Sequence, residues 1–329
     1  MSRVFIELWN IGISYFLCSM DSIDYAKSYK PAGSPVNIID DQFLADYGVR
    51  LLIKRDDLLH KHISGNKWRK LKYNLSEAVQ QNHHTVLTFG GAYSNHLAAT
   101  AFACNKVGVE SIGVVRGDDD AQNPTLNFLR SNSMRLKFVS RTDYRKKGDD
   151  DFIEDLKNEF GNCFMIPEGG ANGLGVRGCA EILPEVEESF DVVCCAAGTG
   201  TTLAGLALSL QENQKLIGFP ALKGGGFLEQ EMQRLIDESR LKPAMNFRFE
   251  LNTDYHFGGY AKMKPELFSF IQGFQERNAI PLDPVYTSKM MFGVYDLVQN
   301  GHFTRGTTIL AIHTGGLQGW EGMIQRGVV

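Results

Sequence analysis

A lysine at the start of a predicted helix is the first residue of this sequence that could do chemistry. Lys67 follows Ser64-Gly65-Asn66, and we expect Ser64 or Asn66 to cap the helix. Apolar residues then recur at three- and four-residue spacing, which predicts one apolar face: Trp68, Leu71, Leu75 and Ala78. Lys67 would lie in the first helical turn.

This position would change the chemistry of the Lys67 amine. We expect Lys67 to lie on the side of the helix away from three neighbouring cations: Arg69, Lys70 and Lys72. A free lysine has a pKa of about 10.4, but the positive end of a helix disfavours an ammonium. A neutral lysine amine is the nucleophile that forms Schiff bases. The alternative interpretation is a solvated surface lysine.

A glycine- and threonine-rich loop provides a second chemical feature, about 130 residues later. The segment Gly198-Thr199-Gly200-Thr201-Thr202 joins an apolar strand to a helix, and backbone amides at such a helix start bind anions. No lysine follows the second glycine, and Leu203 takes the place of the third glycine of a dinucleotide motif. The loop therefore predicts a site for a single phosphate, with an ordinary strand-to-helix turn as the alternative.

Together these two features predict a pyridoxal 5'-phosphate enzyme. That cofactor needs a lysine for its aldehyde, an anion site for its phosphate and a partner for its pyridine nitrogen. A metal site is not predicted, because His60 and His62 have no third ligand at a suitable spacing.

The elements that must position these residues alternate between strands and helices from residue 49 onwards. This pattern predicts an α/β fold with mostly parallel sheets covered on both faces. Small polar clusters follow three predicted strands, at residues 90–96, 198–202 and 313–316, and ligands bind at such strand ends. Helices are predicted at residues 94–107, 175–188 and 290–299, and a strand at 247–251.

Composition limits the class of protein. The 329 residues carry a net charge of -4, so nucleic acid is not expected as a partner. No segment is predicted to span a membrane. Six cysteines are scattered without zinc-like spacing, which favours a reducing, cytoplasmic compartment: Cys18, Cys104, Cys163, Cys179, Cys194 and Cys195.

The first 30 residues show no clear pattern. Val4 to Cys18 is fairly apolar but is interrupted by Glu7 and Asn10. We interpret residues 1–30 as an N-terminal extension. A signal peptide, an added surface helix and a translation start at Met20 are the alternatives.

Several motifs in this order resemble the 1-aminocyclopropane-1-carboxylate deaminase/D-cysteine desulfhydrase family of pyridoxal phosphate enzymes. The resemblance runs from about Ser34 to near the C-terminus. The matching segments are residues 53–57, 64–71, 90–96, 167–178, 198–205, 283–286 and 313–316. It implies the tryptophan-synthase-β-like fold (fold type II), a two-domain, three-layer α/β/α architecture. The domains would be residues 31–69 with 181–329, which bind the cofactor, and an inserted domain of residues 70–180.

The resemblance also implies roles for individual residues. Lys67 would hold the cofactor and move protons, and Asn95 would lie beside the cofactor's 3'-oxygen. Ser94 would lie near the substrate carboxylate, with Asn95 and His96 also in the substrate site. Tyr260 and Tyr286 would be active-site tyrosines. The phosphate would be bound by Gly198, Thr199, Gly200, Thr201 and Thr202.

Two threonines bear on the reaction. Deaminases of the family carry a glutamate directly after the tyrosine of Pro-Val-Tyr, where this chain has Thr287. In the desulfhydrase type, a threonine that matches Thr314 serves the pyridine nitrogen, and the choice between Thr287 and Thr314 stays open here. Ser64, Trp68 and His96 also depart from residues common in relatives.

The sequence thus predicts a lyase that acts on a small amino acid, most favourably D-cysteine, with pyruvate, sulfide and ammonia as products. The first alternative is a 1-aminocyclopropane-1-carboxylate deaminase that releases 2-oxobutanoate and ammonia. The second is a pyridoxal phosphate-binding protein without turnover. A homodimer is what the family resemblance implies.

Overall fold

The computed structural model describes residues 33–242 and 248–328. The predicted extension at residues 1–30, with Cys18, lies outside this range, as does Phe247 of the predicted strand at 247–251. The strands are β1 (Val36–Ile39), β2 (Arg50–Lys54), β3 (Thr85–Gly91), β4 (Glu110–Arg116), β5 (Arg135–Val139), β6 (Phe164–Ile166), β7 (Val192–Ala197), β8 (Lys215–Pro220), β9 (Arg248–Leu251) and β10 (Thr308–Ile312). The helices are α1 (Gln42–Tyr47), α2 (Asn66–Gln80), α3 (Asn95–Val107), α4 (Pro124–Ser131), α5 (Arg141–Tyr144), α6 (Asp150–Phe160), α7 (Gly173–Cys179), α8 (Thr201–Leu208), α9 (Leu228–Ser239), α10 (Pro265–Asn278), α11 (Thr287–Gln299) and α12 (Gly319–Gln325).

The strands form two sheets. The larger sheet has the order β1-β2-β10-β7-β8-β9, and the smaller has the order β5-β4-β3-β6. Only the β1–β2 pair is antiparallel among these strands. The predicted α/β fold with mostly parallel sheets is confirmed.

Helices cover both faces of the larger sheet. Strand β7 shows why, because its apolar side chains alternate between two cores: Val192, Cys194 and Ala196 face one, and Val193, Cys195 and Ala197 the other. The first core contains residues of α10 and α11, and the second contains residues of α7, α8 and α9. A strand that is apolar throughout is expected where both faces are buried.

Helix α2 begins beside the larger sheet and packs along the smaller one. Its predicted apolar face is confirmed: Trp68, Leu71, Leu75 and Ala78 share an apolar cluster with Val86 of β3 and Ile166 of β6. The domain boundary predicted between residues 69 and 70 lies inside this continuous helix. The division into domains stays a prediction.

The predicted helix at residues 175–188 is wrong over its second half. Helix α7 ends at Cys179, and a short 3₁₀ turn covers Leu183–Glu185. Pro184 has no N–H, so it cannot donate to a helical carbonyl. Within the described ranges, no helix is long and apolar enough to cross a membrane.

Candidate active site

Lys67 lies in the first turn of α2, and no side chain caps this turn. The helix N-cap is Gly65, with φ of 62°, and no side chain caps it. The prediction that Ser64 or Asn66 caps the helix is therefore wrong. A Cβ at Gly65 would lie 1.9 Å from the carbonyl oxygen of Thr314, so only glycine fits between α2 and the segment after β10.

Asn66 links Lys67 to the glycine- and threonine-rich loop. Its Nδ2 donates to Thr202 Oγ1 at 3.0 Å, and its Oδ1 accepts from Lys67 Nζ at 2.7 Å. Ser64 points elsewhere, since its hydroxyl donates to the carbonyl oxygen of Asp57 at 3.2 Å. One amide side chain thus contacts both features that the sequence singled out.

The Lys67 amine has an unusual electrostatic environment. Burial, together with the positive charge of Lys70, lowers its pKa to about 7. The prediction that Lys70 lies on the opposite side of the helix is wrong, because residues three apart share a helix face. Lys70 is 4% exposed, and its Nζ donates to the carbonyl oxygen of Gly169 at 3.2 Å. Burial also lowers the pKa of Lys70.

The predicted phosphate loop lies between β7 and α8. Its Gly200 is the N-cap of α8, with φ of 78° and no side-chain cap. The hydroxyl oxygens of Thr199 and Thr201 lie 3.0 Å apart. A Cβ at Gly169 would lie 2.9 Å from Thr199 Cγ2, so the backbone that accepts from Lys70 packs on this loop. The start of α8 is available to an anion.

Ser94 and Asn95 lie at the start of α3, after β3. Ser94 caps this helix, because its Oγ accepts from Leu97 N at 3.2 Å. Asn95 Nδ2 lies 2.8 Å from the position that a Cβ at Gly316 would take. The Oδ1 atom of Asn95 is buried and has no hydrogen-bond partner among the described residues. Such an atom needs a donor from a ligand or from water.

The hydrogen bonds of His96 assign its tautomer. Thr88 Oγ1 donates to the carbonyl oxygen of Ile166 at 2.7 Å, so it accepts from His96 Nε2 at 2.9 Å. The Nδ1 atom is then unprotonated, and it has no partner within the described ranges. Burial, with the charges of Lys67 and Lys70, keeps the pKa of His96 well below 6.5. His96 is a neutral hydrogen-bond acceptor beside these two lysines.

The two predicted tyrosines contact each other. The Cε1 atom of Tyr286 lies 3.1 Å from the position of a Cβ on Gly198, which places this ring on the phosphate loop. The rings of Tyr260 and Tyr286 are 5.9 Å apart at 68°, and Tyr260 is 51% exposed. Burial raises the pKa of Tyr286 well above 10, so its phenol is protonated at neutral pH.

Thr287 is the first residue of α11. The carboxylate of Asp283 accepts from the backbone N–H groups of Val285, Tyr286 and Thr287, which explains why α11 begins three residues before the predicted position at 290. Thr287 Oγ1 is buried without a partner in the described part of the chain. Thr314 is 6% exposed.

Sequence reasoning missed three residues of this region. The sequence predicts Asn66 only as a possible cap, predicts Lys70 on the side of the helix away from Lys67, and assigns no role to Asp283. The signals were present: Lys70 follows Lys67 by three positions, and an aspartate just before a helical pattern is a common cap. His60 and His62 lie on either side of Lys61, and the described ranges contain no group of three or more metal-ligating side chains.

Comparisons with known proteins agree with this geometry. Residues 31–315 match the model of the family "Pyridoxal-phosphate dependent enzyme". A putative 1-aminocyclopropane-1-carboxylate deaminase of Pyrococcus horikoshii is 36% identical over 284 residues, covering 83% of this chain and 86% of its own. The mitochondrial bifunctional D-cysteine desulfhydrase/1-aminocyclopropane-1-carboxylate deaminase of Arabidopsis thaliana is 32% identical over 296 residues, covering 83% of this chain and 73% of its own.

A solved structure of a homologue of 1-aminocyclopropane-1-carboxylate deaminase shows that the similarity extends to the fold. It superposes with a TM-score of 0.77 at 30% identity, over 94% of this chain and 100% of its own. The predicted fold type II and the predicted cofactor are therefore confirmed. The chain belongs to the pyridoxal-phosphate dependent enzymes, in the group that contains the 1-aminocyclopropane-1-carboxylate deaminases and the D-cysteine desulfhydrases.

Proposed function

We propose that this enzyme is a lyase that removes the β-substituent of a small amino acid, with D-cysteine as the favoured substrate. The observation that carries the proposal is Thr287, an uncharged, buried hydroxyl at the position where deaminases of the family carry glutamate. A hydroxyl is a weaker partner than a carboxylate for a charged pyridine nitrogen. Such a site suits the loss of a good leaving group better than the opening of a cyclopropane ring.

The residues present fit the cofactor. Within the described part of the chain, Asn95 Oδ1 is buried without a partner and the start of α8 has no side-chain cap, and Lys67 has an amine with a pKa of about 7. When bound, pyridoxal 5'-phosphate supplies an aldehyde and an electron-withdrawing ring that make the substrate's α-proton acidic.

Each part of the cofactor would meet a separate group of residues. Gly198, Thr199, Gly200, Thr201 and Thr202 would bind the phosphate, as their position at the start of α8 supports. Lys70 would balance the phosphate charge, since no described carboxylate lies within ion-pair distance of its ammonium. Asn95 would bind the 3'-oxygen, and either Thr287 or Thr314 would serve the pyridine nitrogen.

Lys67 would hold the cofactor and then exchange the α-proton of the substrate. A pKa of about 7 means that close to half of the amines are neutral at neutral pH, so the group can both accept and donate a proton. Asn66 Oδ1, at 2.7 Å, orients its Nζ. Arg69, a buried cation of the same turn, is paired with Asp56 and Glu185 and cannot take this role.

The remaining predicted residues would bind the substrate. Ser94 and Asn95, at the start of α3, would donate to its carboxylate. His96 offers only the lone pair of Nδ1, so it would accept a hydrogen bond rather than contact an anion. Tyr286 stays protonated and, with Tyr260, would donate a proton to the departing group.

The overall reaction balances with one water. D-cysteine and water would give pyruvate, sulfide as H₂S, and ammonia, as the C–S bond breaks and the nitrogen is released by hydrolysis. The hydrolytic step is shared with deaminases, so a hydrolase classification is compatible with the same residues.

The first alternative is a 1-aminocyclopropane-1-carboxylate deaminase. The similarity to the putative deaminase of Pyrococcus horikoshii and to the solved deaminase homologue favours it, and Thr287 argues against it. The product would be 2-oxobutanoate with ammonia. The second alternative, a cofactor-binding protein without turnover, is disfavoured because Lys67, Ser94, Asn95 and both tyrosines are present.

A substrate panel separates the three functions. We expect the purified enzyme to release pyruvate from D-cysteine faster than from L-cysteine or D-serine, to release it also from β-chloro-D-alanine, which carries a good leaving group, and to release little 2-oxobutanoate from 1-aminocyclopropane-1-carboxylate. Comparable release of 2-oxobutanoate would support the deaminase. Bound cofactor with no keto acid from any substrate would support the binding protein.

A cytoplasmic location and a homodimer belong to the same proposal. Five cysteines in the described residues are free and buried, which suits a reducing compartment. The homodimer is supported by the family resemblance, and light scattering would test it. No nucleic acid or membrane partner is proposed.

A further inference from the structure

Another buried lysine lies outside the residues described so far. Lys289, in the first turn of α11, is 1% exposed. Its Nζ donates to three backbone carbonyl oxygens: Gly259 at 2.7 Å, His256 at 2.9 Å and Ala221 at 3.1 Å. A buried ammonium normally pairs with a carboxylate, and here carbonyl dipoles take that place.

The three carbonyls belong to two separate segments. Ala221 follows the end of β8, whereas His256 and Gly259 lie between β9 and α10. A lysine ammonium is the side-chain group that offers three donors from one atom. Lys289 therefore joins the start of α11, which carries Tyr286 and Thr287, to the segment that carries Tyr260.

That segment, residues 256–261, is called here the Tyr260 loop. Four of its residues have φ in the left-handed region: Phe257 at 52°, Gly258 at 93°, Gly259 at 126° and Ala261 at 51°. For the non-glycine residues this conformation is unfavourable and persists only where surrounding contacts fix it. Tyr260, between two of these residues, is half-exposed and rests on Tyr286.

We propose that Lys289 is a positioning residue, which holds the Tyr260 loop so that the Tyr260 ring lies against Tyr286. The catalytic consequence rests on the proposed function, because it assumes that Tyr260 acts in the reaction. The loop conformation itself rests on the three hydrogen bonds and the positive φ angles alone.

Hydrogen–deuterium exchange of the holoenzyme tests the loop directly. We expect Lys289→Met to raise exchange in peptides covering residues 254–262 by at least about tenfold, because three charge-assisted hydrogen bonds are lost. Lys289→Gln keeps a short N–H donor and should give a smaller rise. Lys54→Met is the matched control: Lys54 is also 1% exposed and donates to Ser34 O and Glu185, far along the chain from the loop.

The outcomes are distinct. Unchanged exchange in residues 254–262 of both Lys289 variants, or an equal rise in Lys54→Met, overturns the proposal. If exchange rises there as expected, kcat for the best substrate should fall by about tenfold with the cofactor affinity unchanged; an unchanged kcat overturns the positioning role. If the wild-type enzyme turns over no substrate, the proposed function fails, and the exchange experiment still decides the role of Lys289 in the loop.

Discussion

Two faces of the first turn of α2 differ in the hydrogen-bond partners of their cationic side chains. On one face of α2, Arg69 is 3% exposed and donates to two carboxylates, with Nε and Nη2 bonded to Asp56 and Nη1 and Nη2 bonded to Glu185. On the other face, and among the residues that the structure describes, Lys67 donates only to the amide oxygen of Asn66 and Lys70 only to the backbone carbonyl of Gly169. The two faces therefore differ in whether a carboxylate accepts from the cation.

The pKa values follow this difference. Burial alone would lower the pKa of Arg69, but the hydrogen bonds to Glu185 and the charge of Asp56 raise it above its ordinary value. Burial and the charge of Lys70 lower the pKa of Lys67 to about 7, and the more distant charge of Asp283 offsets this only in part. A paired cation stabilises a fold and stays charged, whereas an unpaired one exchanges protons and is free to meet an anion from outside.

Removing the amine of Lys67 should have the largest effect on activity. We expect Lys67→Ala to lower keto-acid release by at least about 10³-fold, because the group that attaches the cofactor and moves the proton is lost. Borohydride treatment followed by peptide mass analysis should label Lys67 in the wild type. Lys72→Ala, which removes a partly exposed lysine paired with Glu181, is the control. Label on another lysine would contradict the assignment.

Breaking the pair on the opposite face should affect stability instead. Arg69→Met leaves Asp56 buried at 0% exposure without its cation, and we expect the free energy of unfolding to fall by about 3–5 kcal/mol. Lys67→Met should change it far less, since no ion pair is lost. Urea unfolding of both variants measures the contrast, and equal losses would remove the distinction between the two faces.

Substitution of Lys70 tests whether this cation, which has no carboxylate partner among the described residues, binds the phosphate of the cofactor. We expect Lys70→Met to weaken pyridoxal 5'-phosphate binding by about 10- to 100-fold, which corresponds to one charge-assisted hydrogen bond. Titration of the cofactor-free protein measures the affinity, with Lys72→Met as the matched control. An unchanged affinity would mean that the start of α8 binds the phosphate without Lys70.

The smallest effect is a shift in pH dependence. In the cofactor-free protein, the rate of cofactor attachment to Lys67 should rise with pH and level off above about 8, with a midpoint near 7. The neutral amine is the reactive form, so its fraction increases as pH passes through the pKa; an ordinary lysine would reach this point only at about 10.4. Lys70→Met should raise the midpoint, because a neighbouring positive charge is removed.

The sequence predicts some parts of this molecule better than others, for physical reasons. The residue types within strand β7 and within the loop at residues 198–202 are enough to predict a buried strand and a strand-to-helix turn, so both could be predicted from the sequence. The N-cap at Gly65 could not be predicted in this way. The atom that excludes a side chain there is the carbonyl oxygen of Thr314, which is far away in sequence.

The contacts of Lys289 are even harder to predict from the sequence than the N-cap at Gly65. Its three acceptors are backbone oxygens, and backbone atoms leave no signature in the residue types around them. Lys70 differs, since its orientation follows from its spacing to Lys67 once the start of α2 is known. The prediction that Lys70 lies on the side of α2 away from Lys67 is wrong because residues three apart share a helix face.

The anchoring of α2 at its first turn has a mechanical consequence. Gly65 is wedged against Thr314 beside the larger sheet, whereas Leu71 and Leu75 pack with the smaller sheet. Any tilt of the smaller sheet relative to the larger would turn α2 about its N-terminal end, and atoms near a pivot travel least. Such a tilt would therefore displace Lys67, in the first turn of α2, less than the residues at the far end of the helix, and Lys67 would keep its distance to the loop at residues 198–202.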